Sequence, residues 1–300
     1  MGPIASLVAV AGPAAVEPAR PGLGVCLSIA SHASREITTN ESYLFDGEST
    51  RLQIGGLWAL GEHWRVGGQV PWVSWGEGRL DAVIDTWHDL FGFPDGIRDD
   101  VPRGQLNLIY ANPQEGASGA LTAGTAGVGD AQFTVARSVF ERGDRSFWVS
   151  LRGELPTGAQ DRLTGNGGLD LALTGHWHDD RAFASERLVA SAYGGVARVG
   201  GATALGADLQ PWVALGGGSL DVRFSSRVRL GLGVDLRGAV IDTQIDDLGG
   251  AAASVHVGLE VRAGPQHAVS FGFSEDLLVG THPDVVFRLN WVRRARTDAR

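Results

Sequence analysis

The chain lacks most of the features that mark common protein classes. Lysine is absent from its 300 residues, and methionine and cysteine occur once each. A single Cys26 cannot make an internal disulfide, and no Cys/His cluster has zinc-site spacing. No stretch approaches the roughly 18 consecutive apolar residues of a membrane-spanning helix. Mean hydropathy is zero, so a helical membrane protein is excluded. Net charge is −9, and the densest basic run is the short Arg293, Arg294, Arg296 tail, which argues against a nucleic-acid partner. Leu23-Gly24-Val25-Cys26 is a poor lipoprotein box because bulky Val25 stands where a small residue belongs, so Cys26 reads as a small strand residue.

What the chain has in quantity is glycine, 44 residues, together with nine tryptophans, a composition poor for helices. Residues 1–21 read as a leader. Ile4 to Ala15 is apolar and small and Ala14 to Ala19 offers a cleavage context, but Met1-Gly2-Pro3 lacks the basic residue that precedes an export core. The expectation is a remnant signal peptide, then a single domain over 22–293 and a basic tail over 294–300.

The dominant signal is period two, because a strand sends successive side chains to opposite faces. Val228, Leu230, Leu232, Val234 and Leu236 alternate with Arg227, Arg229, Asp235, Arg237 and two glycines. Val255, Val257, Leu259 and Val261 alternate with His256, Gly258, Glu260 and Arg262, and Val285, Phe287, Leu289 and Trp291 with Val286, Arg288 and Asn290. The pattern also runs through Leu23 to Ile29, Leu52 to Trp58, Trp64 to Trp72, Phe147 to Leu155 and Leu169 to Trp177. Segments 129–140, 184–198, 207–216 and 267–275 fit less tidily. Together these make about twelve strands.

A soluble β-sandwich also alternates, but two features favour a closed transmembrane barrel. Several strands reach the roughly ten residues needed to cross a bilayer at a tilt. Connections also alternate in length: Leu60 to Glu62, Glu141 to Arg145, Asp179 to Phe183 and Gly264 to Gln266 are short, whereas 34–47, 76–126, 156–167, 199–206, 241–250 and 276–283 are longer. That parity matches short periplasmic turns and long external loops. Trp58, Trp64, Phe147, Trp177 and Trp291 fall near the periplasmic end, where amphipathic rings favour the lipid boundary. The expected fold is therefore all-β: a closed antiparallel transmembrane barrel with one amphipathic helix in a long external loop.

If the apolar face meets lipid, the lumen carries Arg152, Glu154, Asp170, Arg227, Arg229, Asp235, Arg237, His256, Glu260 and Arg288, joined by Arg51, Arg65, His176, His178 and Arg262. Both signs are interleaved. Such a network can close a narrow lumen as readily as wet it. Charge selectivity would require a sector of one sign, and alternation alone does not assign neighbours across the lumen.

Between Trp75 and Gly104 the period changes. Leu80, Ile84, Trp87 and Phe91 recur at helical spacing with Val83 on the same face, so 80–91 reads as an amphipathic helix stopped by Gly92 and Pro94. Its polar side offers Asp81, Asp85, His88 and Asp89, with Arg98 and Asp99 following, as a candidate site at the mouth. A cation site, an acid/base pair, a plug or gate, and a cap with solvated charges all fit these residues. No segment identifies a hydrolase triad. Gly165-Asn166-Gly167-Gly168 and Gly216-Gly217-Gly218 lack the context of a phosphate loop and read as turns.

The segment from Leu80 to Arg98, LDAVIDTWHDLFGFPDGIR, resembles the signature of the domain of unknown function 3187 family. So do Asp46-Gly47-Glu48, Gly127-Val128-Gly129-Asp130, Leu155-Pro156-Thr157-Gly158, Gly165-Asn166-Gly167-Gly168 and Ser274-Glu275-Asp276, in matching order from about residue 22 to 293. The resemblance implies a Gram-negative outer-membrane barrel and supplies no established activity.

The expectation is a monomeric channel or passive transporter for a small solute, capped by the 80–100 loop. The alternatives are a non-conducting structural or ligand-binding envelope protein and a membrane-embedded lipid enzyme, with a non-enzyme favoured. Expected partners are outer-membrane lipid and lipopolysaccharide, the barrel-assembly machinery and a small solute. No cofactor, metal site or catalytic residue is assigned.

Overall fold

The computed structural model describes residues 21–91, 101–201, 205–277, 283 and 285–295. In chain order, β1 (Gly22–Ile37), β2 (Ser42–Leu60) and β3 (Trp64–Gly76) lead into an external loop. That loop holds α1 (Asp81–Phe91), a hairpin of β4 (Asn107–Asn112) and β5 (Ala117–Leu121), and β6 (Thr125–Val128). Then come β7 (Ala131–Arg142), β8 (Arg145–Leu155), β9 (Asp170–Asp179) and β10 (Leu188–Arg198). The short β11 (Asp208–Leu209) precedes β12 (Trp212–Arg223) and β13 (Val228–Arg237). The short β14 (Ile241–Asp242) and the turn α2 (Asp246–Gly249) precede β15 (Ala252–Ala263), β16 (His267–Asp276) and β17 (Val285–Arg294).

Twelve of these strands form one closed antiparallel wall. Closure comes from β1 and β17, which pair from Gly22 opposite Arg294 to Ser31 opposite Val285, while β2 pairs with both β1 and β3. The strand that carries the wall's only proline, β3 with Pro71, meets an interrupted partner. β6 pairs with Trp72 to Trp75, β7 pairs with Trp64 to Gln69, and the gap between them is bridged by the Gly129 N–H donated to the Pro71 carbonyl.

Faces distinguish this barrel from a sandwich. Leu230, Leu232, Val234 and Leu236 point outward and are 38–56% exposed, with no second sheet over them among the described residues. Leaving such half-exposed side chains in water forfeits about 1 kcal/mol each, so this face belongs against lipid. Trp58 and Trp64 are exposed at the periplasmic rim, and Trp72 and Trp212 at the outer rim. Among the described residues no helix is long and apolar enough to cross a membrane; the strands do so.

Several local expectations are corrected. The loop expected over 34–47 is only the turn 38–41, because Thr38 closes it: its N–H and hydroxyl both donate to the Glu41 carbonyl and its oxygen accepts the Glu41 N–H. The segment read as a strand over 207–216 is split into β11 and β12, and Gly216-Gly217-Gly218 lies mid-strand rather than in a turn. Gly217 is needed there because the Tyr193 ring lies across it; a Cβ on Gly217 would come 2.6 Å from Tyr193 Cε1. Arg294 still belongs to β17. The leader and most of the tail lie outside the described residues.

Candidate functional site

The inward register sets the charges of the lumen. Ser28 on β1 faces Arg51 on β2 and Arg288 on β17, so the two arginines flank it at one level. Arg152 enters from β8, farther round the ring. All three line a cavity of about 630 Å³. It runs from the periplasmic rim at Gly22 and Arg294 to Val73 and Trp75 beneath the outer mouth, and nearly every wall strand contributes to it.

Most lumen carboxylates are already engaged. Glu260 accepts from Arg229 at 3.2 Å, Arg262 at 3.0 Å and Arg294 at 3.3 Å. Asp221 pairs with Arg229 at 3.5 Å. Asp235 accepts the Tyr193 hydroxyl at 2.7 Å and stands 3.3 Å from His256 Nδ1. His256 can lie flat against the wall because its neighbour is glycine; a Cβ on Gly233 would meet His256 Nε2 at 2.1 Å. Glu154, 1% exposed, accepts from Gln132 at 2.9 Å, and Gln132 bonds Gln69.

Of the lumen residues read from the sequence, Arg51, Arg152, Arg229, His256, Glu260 and Arg288 line this cavity. Glu154, Asp235 and Arg237 point inward but stand back from it, and Asp170 is buried beneath the loops. Arg227 is not on the wall: it is exposed in the turn before β13, which starts one residue later.

The outer mouth is built differently. Tyr43, Phe45, Val73 and Trp75 from the wall pack with Leu108 and Tyr110 of β4, Leu163, Leu205, Ile245 and Leu248 into one apolar core. The β4–β5 hairpin extends the sheet from the top of β2. It crosses the mouth to the loop before β12, where a Cβ on Gly206 would lie 3.5 Å from the Ala117 Cβ. From the loop after β13, Thr243 bonds Glu41 and Asp247 accepts the Tyr43 hydroxyl at 3.4 Å. Burial raises the Asp247 carboxyl above its ordinary range; the Tyr43 bond opposes this and neighbouring Asp246 adds to it.

The short glycine motifs meet in a knot beside this core. The Asp130 carboxylate, 1% exposed, accepts the Gly158 N–H at 2.7 Å and the Asn166 N–H at 3.0 Å. Thr157 donates to the Gly129 carbonyl at 2.9 Å and accepts the Ala131 N–H at 2.8 Å. Asn166 donates to Asp170 at 2.8 Å, and Asp170 accepts the Gly200 N–H at 2.7 Å. Buried charge-assisted bonds of this kind hold loops in one geometry. The sequence showed these motifs but not their meeting.

In the loop site, Ile84 is buried, whereas Val83, expected on the same face, is 56% exposed. The two positions lie a third of a turn apart, and only the Ile84 side meets protein. Asp81 accepts the Gly104 N–H at 3.0 Å and Asp85 pairs with Arg103 at 2.5 Å, so the helix acids hold the return of their own loop. Glu48 on β2 accepts the N–H groups of Arg79 and Leu80 at 3.3 and 3.2 Å, anchoring the helix start to the wall. Asp89 is exposed. The His88 side chain, Arg98 and Asp99 lie outside the described residues. No group of three or more metal-ligating side chains occurs among the described residues.

One arrangement invites a catalytic reading. His178 Nδ1 lies 2.8 Å from Ser191 Oγ, and its Nε2 lies 3.2 Å from Asp180 Oδ1. Ser191 and His178 face each other across the β9–β10 ladder, which runs unbroken past them. Amides committed to the ladder cannot serve as an oxyanion hole. Asp180 is held instead by Arg223 at 2.5 Å, and the chain reads as a polar clamp at the periplasmic end.

A family model described as a protein of unknown function (DUF3187) matches residues 23–294. No curated protein matches the chain. Among solved structures, the COG4313 outer membrane channel from Pseudomonas putida F1 is similar with a TM-score of 0.59 and 12% identity, covering 94% of this chain and 99% of that one. The NanC porin (TM-score 0.47, 9% identity) and the KdgM porin (0.46, 7%) are similar over 91% of this chain and 100% and 99% of theirs. These likenesses concern the fold.

Proposed function

The chain belongs to the DUF3187 family and is an outer-membrane β-barrel, and on that premise we propose that it is a channel for small polar solutes whose outer mouth is covered by a folded cap. The observation that supports this reading most strongly is the cavity of about 630 Å³ that runs from the periplasmic rim to the underside of the cap. Charged and amide side chains line it, and such a lining holds water. The relative named as an outer membrane channel is consistent with this role.

A second reading, a non-conducting envelope protein, is favoured by the apolar core that fills the mouth. Planar-bilayer recording separates the two. The channel reading expects discrete conductance steps from the purified protein, and larger or more frequent steps when residues 81–91 are deleted. Silence from both proteins would leave the non-conducting reading. The expected cap over 80–100 becomes, on this reading, part of a larger cap made jointly by α1, the β4–β5 hairpin and the loops before β12 and β15.

A further inference from the structure

We propose that the lumen selects small carboxylate-bearing anions, at a site formed by Arg51, Arg152 and Arg288. Among the described residues, no carboxylate oxygen lies within the 4.0 Å of an ion pair from any of these three guanidinium groups. Among the described residues, the acidic side chains around them bond mainly to other groups. Glu154 and Asp235 lie within electrostatic reach of them. Buried Glu154 gives one oxygen to Gln132 and leaves the other without a hydrogen bond, while Asp235 accepts the Tyr193 hydroxyl and lies 3.3 Å from His256. Glu260 is shared among three other arginines.

The lumen thus sorts its charges into two sectors. One is neutralised within itself; the other keeps three positive heads facing the same cavity from β2, β8 and β17. Low-dielectric walls focus the field of such a sector and raise the local concentration of anions. Guanidinium forks match the two oxygens of a carboxylate, which favours carboxylates over simple halides. The cavity, about 630 Å³, is in the range that holds a small organic molecule.

Transport of the anion rests on the channel reading above, but binding does not, so two measurements are needed. In planar bilayers under a KCl gradient, the wild-type reversal potential should have the sign of chloride preference. The triple variant R51Q/R152Q/R288Q should lower the chloride-to-potassium permeability ratio about tenfold, the equivalent of about 1.4 kcal/mol. Calorimetry with citrate on detergent-solubilised protein should show binding by wild type and none by the triple variant. Heat-modifiable gel mobility checks folding, and R152Q alone serves if the triple variant does not fold.

A conducting wild type that prefers potassium, or a variant with unchanged selectivity and unchanged citrate binding, would overturn the proposal. A silent bilayer with variant-sensitive citrate binding would overturn the channel reading and leave the anion site standing.

Discussion

The two ends of the lumen are built on opposite principles. The outer mouth is packed like the core of a soluble protein: Leu108 and Ile245 are 0% exposed and Phe45 1%. The part below is lined by arginines, amides and hydroxyls around a cavity. One sheet can therefore carry an apolar-packed region and a polar-lined one, because loops supply at the mouth the apolar surface that the inward register of the wall does not.

The largest test of this contrast compares two leucines. Leu108→Ala empties a site surrounded by protein and should cost about 3–5 kcal/mol, the transfer loss plus a cavity. Leu232→Ala on the outer wall, where Leu232 is 56% exposed, should cost about 1–2 kcal/mol, because lipid fills the space. Urea unfolding in lipid vesicles measures both, and equal losses would erase the distinction.

Next in size is the knot. Asp130→Ala strands the buried Gly158 and Asn166 amides, at about 1–3 kcal/mol for each donor left unpaired. Protease nicking between residues 156 and 169 should become faster, while strand content by circular dichroism stays the same. A protease pattern identical to wild type would show that the knot does not hold the loop.

A smaller effect is expected below the cap. Glu260→Gln releases Arg229, Arg262 and Arg294 from their shared carboxylate. Chloride preference should rise by a few-fold with protease resistance of the loops unchanged. A shift toward cations would mean that the charge sectors are assigned wrongly.

The smallest effect concerns pH. Burial, more than the opposing Tyr43 bond or neighbouring Asp246, lifts the Asp247 carboxyl in the folded cap. The folded state therefore binds the proton more tightly than the unfolded one, and stability increases as pH falls through the raised folded pKa. Acidification should make the loops slightly more protease-resistant, and Asp247→Asn should remove that pH dependence.

The wall was legible because alternation is local. Leu230, Leu232, Val234 and Leu236 announce their strand without reference to any other, and loop parity then distinguishes a barrel from a sandwich. The mouth was not, because its contacts are remote in sequence. Asp130 bonds Asn166 from 36 residues away and Thr243 bonds Glu41 from 202. Helical spacing found α1 but could not choose between Val83 and Ile84 for the buried face. The arginines were legible as inward-facing; that Arg51 and Arg288 make no ion pair among the described residues while Arg229 does depends on register across several strands.

The most direct measurement is the single-channel conductance of wild type beside a variant in which the β4–β5 hairpin, residues 107–121, is replaced by a short Gly-Ser linker. A folded cap over an aqueous lumen predicts small or rare openings for wild type and steady, several-fold larger ones for the variant, with chloride preference retained. A correctly folded variant that stays silent, or conducts no better than wild type, would contradict it.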